Sequence, residues 1–401
     1  MSNKMIHKLV LLIAVLAIAS AIASWSRCWQ LVHTDAGLDL TPRELLHRMA
    51  QRSRARAERL LSERESVPVT PGKLDDDGVP DTEYLAHFAI GTPAQPVQLT
   101  LDSGSDLIWT QCQPCISCFH QSLPVFNASL SSTFADLTCG STACQDLTLT
   151  SCSSAGDSSS STNNTPCVYG YLYGDGSTGI AGFGRGILSL PSQLKVDNFY
   201  CFTNITGSTS SHVLLGLPAN LHSSSARGVV QTTRFIHNPA NLSTFYYLSL
   251  KGITVGSTRL PIPESAFALT NNGTGGTIID SGTGMTTFSP DVYNLVHDAF
   301  IAQTRLPVQN ATTTPLCFTL SAGTKSDVPK LILHFDGATL DLPRDNYMFE
   351  LQDAGVRVTC LAVNPGGNLT IIGNYQQQNL HVLYDLANNM LSFAPAQCDQ
   401  V

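Results

Sequence analysis

The tripeptide Asp-Ser-Gly occurs twice, as Asp102-Ser103-Gly104 and as Asp280-Ser281-Gly282. Each copy closes an apolar, β-like run, Val97-Gln98-Leu99-Thr100-Leu101 before the first and Thr277-Ile278-Ile279 before the second, and each is followed by a hydroxyl residue, Ser105 or Thr283. A strand that buries aliphatic residues and then presents a carboxylate at a glycine turn is a poor structural device and a good chemical one. Two carboxylates brought face to face in a low-dielectric cleft repel when both are ionised, so they share a proton. One can then act as base on a bound water while the other, protonated, hydrogen-bonds a carbonyl. That is general acid–base hydrolysis without a covalent intermediate, and the titration belongs to the pair.

The elements that must position such a pair are strands. Short alternating runs separated by Gly, Pro, Asn and Ser dominate the chain, which predicts an all-β fold. An internal repeat is visible. Tyr84-Leu85-Ala86-His87-Phe88-Ala89-Ile90-Gly91 leads towards the first Asp-Ser-Gly, and Tyr247 to Gly256 leads towards the second. An aliphatic pair ending in glycine follows later in each half, Ile180-Ala181-Gly182 and Ile371-Ile372-Gly373. Two similar lobes are expected, each supplying one carboxylate, with a boundary near residues 236–245. The best helical segment in the body is Pro290 to Arg305, with Ser289 as its cap. The Ser- and Asn-rich tract Ser153 to Thr165 reads as a solvated loop.

Residues 1–24 read as a secretory signal peptide: Lys4 and Lys8 precede an apolar run from Leu9 to Ala19, and small residues follow. The run is shorter than the ~20 residues of a membrane span, which argues against a permanent anchor. Residues 25–78 form a basic leader. Between Trp25 and Leu74 there are nine Lys and Arg against six Asp and Glu, whereas from Asp75 onward there are 11 against 24. Within the leader, Thr41 to Arg64 predicts a helix with a Thr41–Glu44 capping box and a cationic face of Arg48, Arg52, Arg56 and Arg59. A cationic leader on an acidic body is expected to be a removable prosegment held by charge. Nucleic-acid binding is the competing reading of the arginines, and export argues against it.

Twelve cysteines in an exported chain predict a disulfide framework. Cys112-x-x-Cys115-x-x-Cys118 could otherwise be a metal or cluster site, which an oxidising compartment disfavours. With Cys28 in the leader, the body keeps an odd number, so one thiol should lack an ordinary partner; Cys118 is the candidate. Seven Asn-x-Ser/Thr sequons, at Asn127, Asn163, Asn204, Asn241, Asn272, Asn310 and Asn368, predict glycosylated surface loops. Gly174-Asp175-Gly176-Ser177-Thr178-Gly179 fits the dinucleotide pattern G-x-G-x-x-G, but no βαβ unit surrounds it. Neither G-x-S-x-G nor H-E-x-x-H occurs.

From about Glu83 to Cys398 the chain resembles the pepsin-like aspartic proteases, specifically their nepenthesin-type plant branch. The resemblance rests on Leu101 to Cys112 (LDSGSDLIWTQC), Ile278 to Gly284 (IIDSGTG), the cysteine-rich stretch Cys112 to Cys167, and Ile371-Ile372-Gly373-Asn374. It implies a bilobal all-β fold: an N-terminal lobe with a Cys-rich insert over residues 79–245, and a C-terminal lobe over 246–401. It implies Asp102 and Asp280 as the catalytic dyad, with Ser103 and Ser281 cross-bonding the lobes. Ser105 and Thr283 would hold the outer carboxylate oxygens, and Gly104 and Gly282 would permit close approach. Tyr173 would be the tyrosine of the flap that covers substrate, and Trp109 its partner. No metal or organic cofactor is implied. The expected partners are polypeptide substrates and the chain's own prosegment, with no nucleic acid and no membrane after signal removal. The expected state is a secreted monomeric zymogen of the apoplast or the vacuole, active at acidic pH.

One departure from the pattern stands out. Only nine residue steps separate Tyr173 from Gly182, a reach of at most ~30 Å, too short for a flap hairpin to return and for further strands to follow. The N-terminal lobe is thus truncated after its flap strand, and unpaired strand edges are expected there. The alternative function is a catalytically impaired relative that acts as a binding or inhibitor-type protein.

Overall fold

The computed structural model describes residues 28–33 and most of 84–398; within the latter, 116–117, 119–120, 122, 142–143, 145–149, 152–166, 170–178, 196–197, 204–210, 216–227, 241–243, 311–314, 322–326 and 354 are outside the description. Fifteen strands form one continuous sheet. In chain order they are β1 (Cys28–His33), β2 (Tyr84–Ile90), β3 (Gln95–Asp102), β4 (Trp109–Thr110), β5 (Gly179–Gly182), β6 (Asn198–Cys201), β7 (Ser211–Leu215) and β8 (Gln231–Ile236). The second half adds β9 (Tyr246–Leu248), β10 (Thr277–Ile279), β11 (Thr286–Phe288), β12 (Val363–Pro365), β13 (Thr370–Ile372), β14 (Leu380–Asp385) and β15 (Met390–Pro395). Their spatial order is β12-β11-β13-β10-β9-β8-β15-β14-β6-β7-β1-β2-β3-β5-β4. The architecture is the expected all-β one, with Pro290–Gln303 as its one long described helix.

Burial along each strand explains its place. In β2 and β3, Tyr84, Ala86, Val97, Leu99 and Leu101 point into the core, the alternation of a half-buried antiparallel pair. At the end of β3 both faces become buried, Thr100 and Asp102 included. The strand therefore runs from the surface into the interior and delivers its carboxylate there. Gly91 makes the turn between these strands with φ +82, and a side chain there would meet Ser131.

The sequence repeat becomes a structural one at the two Asp-Ser-Gly turns. In the first half, β3 pairs in parallel with β5, and β4 lies antiparallel on the far side of β5. In the second half, β10 pairs in parallel with β13, and β11 lies antiparallel beyond it at Thr287–Ile371. The repeat breaks down in the run from Tyr247 to Gly256. Tyr246–Leu248 stays in the central sheet, whereas Leu250–Val255 joins a second, four-stranded sheet after a register shift at Leu250/Gly252. A further four-stranded sheet, containing the Cys317–Cys360 disulfide, completes the C-terminal half. Among the described residues, the N-terminal half has only two-stranded pairs in its insert, Cys112–Gln113 with Phe126–Asn127 and Thr150–Ser151 with Val168–Tyr169.

The Asp-Ser-Gly turn of the first half and its aliphatic-glycine strand are both in place. Strand β5 begins at Gly179, the first residue after the shortened segment, and lies in register with β3. Leu130, Phe134, Leu137 and Val168, all in the cysteine-rich stretch, are among the exposed large apolar side chains. The Tyr173 position, the helix expected at Thr41 to Arg64 and the tract Ser153 to Thr165 lie outside the described residues.

Two expectations need revision. Charge is not all that holds the basic leader: β1, inside it, pairs antiparallel with β2 on one side and β7 on the other. Main-chain hydrogen bonds thus build it into the sheet. Among the described residues the free cysteine is Cys112 and not Cys118, because Cys118 is bonded to Cys115. Those two lie three residues apart with Cα atoms 6.0 Å apart, within bridging range, while Cys112 sits in a strand pair with its side chain exposed. Cys144–Cys167 and Cys201–Cys398 are the other described bridges with both partners in view. Peptide mapping of unreduced protein after alkylation should find the label on Cys112 and none on Cys118; label on Cys118 would reverse the assignment.

Burial holds the imidazoles of His381, His87 and His334 below the ordinary histidine value. The unfolded chain, with an ordinary value, then binds more protons between the two pKa values, so stability falls as pH drops below about 6.5. His381→Gln should reduce the loss of stability between pH 7 and pH 5, measured by urea unfolding at both. An unchanged difference would assign the acid sensitivity to other groups.

Candidate active site

Asp102 and Asp280, 178 residues apart in sequence, are both fully buried at the ends of β3 and β10. Their turns have matching internal bonds. Gly104 N–H donates to Asp102 Oδ1 at 2.9 Å, and Gly282 N–H donates to Asp280 Oδ1 at 2.9 Å. Ser105 Oγ donates to Asp102 Oδ2 at 2.5 Å, and Thr283 Oγ1 to Asp280 Oδ2 at 2.7 Å. Each carboxylate is thereby held in plane by one backbone and one hydroxyl donor. The Ser105 and Thr283 positions are the expected ones.

The two turns are bonded to each other. Ser103 N–H donates to Ser281 Oγ at 3.0 Å, and Ser281 N–H donates to Ser103 Oγ at 2.8 Å. Ser281 Oγ then donates onward to the carbonyl of Leu101 at 2.9 Å. The approach is close enough that a Cβ on Gly282 would lie 2.3 Å from Asp102 Oδ1 and 2.7 Å from its Cγ. Only glycine fits there.

Each turn is also threaded against the aliphatic-glycine strand of its own half. Phe183 N–H donates to the Asp102 carbonyl at 2.7 Å, and Asp280 N–H donates to the Ile372 carbonyl at 3.0 Å. A side chain at Gly182 would strike the Asp106 backbone, and one at Gly373 would strike that of Gly284 and Met285. Trp109 occupies β4 opposite Ile180, half-buried, and its proposed partner Tyr173 falls outside the described residues.

Several supporting residues carry no motif of their own. Asp106 accepts from Gly186 N–H and from Thr244 Oγ1, both at 2.8 Å, tying the first turn to the segment that enters the C-terminal half. Asn374 Nδ2 donates to the Ser281 carbonyl at 3.0 Å. Gln376, Gln377 and Gln378 are all buried behind Asp280. Three consecutive buried glutamines after an aliphatic strand are the signal in sequence, since a buried amide must have partners. Two open cavities of about 340 and 310 Å³ are lined by Val328 to Tyr347 and by Ile236 to Leu269, and neither includes a dyad residue.

Comparison with known proteins gives the family and the likeness of fold. A family model described as xylanase inhibitor N-terminal matches residues 84–178, and one described as xylanase inhibitor C-terminal matches residues 245–395. The first match stops at the shortened segment. Aspartic proteinase nepenthesin-1 of Nepenthes gracilis is 42% identical over 412 aligned positions, covering 92% of this chain and 89% of that protein. Those positions outnumber the chain's own 401 residues, so the relative carries residues that this chain lacks. Aspartic proteinase nepenthesin-2 of the same species is 38% identical, with 92% and 89% covered. Among solved structures, edgp superposes with a TM-score of 0.58 at 20% identity, covering 82% of this chain and 95% of that one, which is a likeness of fold.

Ser281→Ala strands the buried Ser103 N–H and removes the bond to Leu101, at a cost of about 1–3 kcal/mol. Ser103→Ala should cost a similar amount, and the double substitution less than the sum, because the crossed bonds are shared. Denaturant unfolding of all four proteins measures the coupling; strict additivity would mean that the turns are held independently.

Proposed function

Since the chain belongs to the plant, nepenthesin-type branch of the pepsin-like aspartic proteases, we propose that it is an aspartic endopeptidase hydrolysing peptide bonds at acidic pH. One observation carries the reading: both Asp-Ser-Gly turns are intact, alike in their internal bonds, and cross-bonded. In the proposed reaction the dyad shares one proton. The ionised carboxylate takes a proton from a water as that water attacks the peptide carbonyl, and the protonated carboxyl hydrogen-bonds the carbonyl oxygen. Collapse of the tetrahedral species passes a proton to the leaving nitrogen. Asp102 and Asp280 do this chemistry, while Ser103, Ser281, Ser105 and Thr283 keep the carboxylates aligned, which is where orientation contributes most to rate.

The chain is proposed to enter the secretory route through its first 24 residues and to reach the apoplast or the vacuole as a monomeric zymogen. Its partners are its own leader and polypeptide substrates. The acidic body, with 24 acidic and 11 basic residues from Asp75 onward, suits an acidic compartment. As its carboxylates protonate, attraction to the cationic leader weakens and self-repulsion stays modest. Release must also break the pairing of β1 with its two neighbours.

The shortened N-terminal lobe favours a second reading, a binding or inhibitor-type protein that retains the dyad without a working cover. Acidification of the full chain with a denatured protein substrate separates the two. The peptidase reading expects cleavage that pepstatin blocks and that Asp102→Asn or Asp280→Asn abolishes. Absence of cleavage at every acidic pH, with the protein folded, would overturn it in favour of the second.

A further inference from the structure

Behind the dyad lies a hydrogen-bonded circuit that the acid–base chemistry does not use. Tyr200 on β6 and Tyr384 on β14 come from adjacent strands where the central sheet joins its two halves, and both are fully buried. Their hydroxyls meet at 2.8 Å. Tyr200 Oη donates to Gln377 Oε1. Gln377 Nε2 donates to the carbonyls of Ile372 at 3.0 Å and Asp280 at 3.3 Å. At the other end, the Tyr384 hydroxyl interacts with the Ser103 side chain, whose Oγ accepts from Ser281 N–H at 2.8 Å.

Proton counting orients every link. Both partners of Gln377 Nε2 are carbonyls, so the amide nitrogen must face them and its oxygen must face Tyr200. The one proton of Tyr200 is spent on that oxygen, so Tyr384 donates to Tyr200. The proton of Tyr384 is then spent too, so Ser103 Oγ donates to Tyr384 while accepting from Ser281. Burial drives both phenols well above their ordinary value, so both protons stay in place. The circuit starts at the N–H of Ser281 and ends at the C=O of Asp280, the two ends of a single peptide unit.

We propose that Tyr200, Tyr384 and Gln377 are positioning residues for the dyad, closing a hydrogen-bonded ring onto the Asp280–Ser281 peptide. That peptide carries the Cα of Asp280, so its plane sets the direction in which the carboxylate faces Asp102. The ring makes the two turns unequal. On the other side, Ser281 Oγ accepts from Ser103 N–H and donates to the Leu101 carbonyl, a short link across Asp102 that reaches no strand beyond the two turns. The orientation of Asp280 is thereby tied to the sheet that joins the two halves. All members donate in one sense around the ring, an arrangement in which hydrogen bonds polarise one another.

The catalytic part of this inference rests on the peptidase reading. The test compares Tyr384→Phe, Tyr200→Phe and Gln377→Leu with Tyr84→Phe, which removes an equally buried hydroxyl whose bond, to the Thr203 carbonyl, lies outside the ring. Amide hydrogen exchange at Ser281 is read first, because it needs no activity. Faster exchange is expected in the three ring variants and not in Tyr84→Phe; equal exchange in all four would overturn the ring. With active protein titrated by pepstatin, kcat per site should fall between about 10- and 100-fold in the ring variants with KM little changed, the scale on which small misplacements act. The pH profile of kcat should shift with it. Lower stability with unchanged kcat and pH profile would reduce the ring to a structural role. If the unaltered protein does not cleave, the peptidase reading fails and the Ser281 exchange still decides the ring.

Discussion

The crossed hydrogen bonds between Ser103 and Ser281 are the constraint on which the rest of the structure depends. Two carboxylates meet in the interior only if something offsets their repulsion and their loss of water. The serines do this by joining the backbones of the two turns, so that each turn satisfies the other's buried N–H. The arrangement demands glycine at position 282, where any side chain would collide with Asp102. It also demands strands that reach the centre of the molecule from both halves. Strands β3 and β10 do so, each flanked in parallel by the aliphatic-glycine strand of its own half.

The shortened N-terminal lobe shows how local that requirement is. Strand β5 begins at the first residue after the junction and still finds its register on β3 and β4, because Ile180-Ala181-Gly182 carries both the buried face and the glycine that lies against Asp106. The turn around Asp102 has the same internal bonds as the turn around Asp280. In the cysteine-rich stretch, Leu130, Phe134, Leu137 and Val168 are exposed and Cys112 is a thiol. The paired carboxylates are therefore built from the inner sheet alone.

The central sheet is also where the leader enters. Strand β1 is flanked on both sides, so the chain as synthesised has a continuous sheet that includes residues from its basic leader. An attraction of charge between leader and body, as composition leads one to expect, would be screened by salt, whereas main-chain hydrogen bonds inside a sheet are not. A pH change alone acts on the first contribution and leaves the second.

Much of this was legible in the order of residues, because the chemistry is local. Asp-Ser-Gly with its hydroxyl neighbour is a turn whose internal bonds span three residues, and the strand before it announces itself by alternation. Duplication doubles the signal, so the all-β class, the twin turns and the roles of Ser105 and Thr283 could be read directly. Cysteine pairing could not: Cys112, Cys115 and Cys118 are equivalent in spacing, and only the bridge between Cys115 and Cys118 in the folded chain leaves Cys112 as a thiol. Nor could the sheet pairing of β1 or the ring through Tyr200, Tyr384 and Gln377. Those contacts join residues between about 50 and 280 positions apart, and no local pattern records which buried phenol will face which amide. The sequence by itself determined which residues do the chemistry, because type and turn are local properties. Their mutual alignment was decided only when distant strands closed into one sheet, because a buried hydrogen bond is chosen by whatever partner the packing brings within reach.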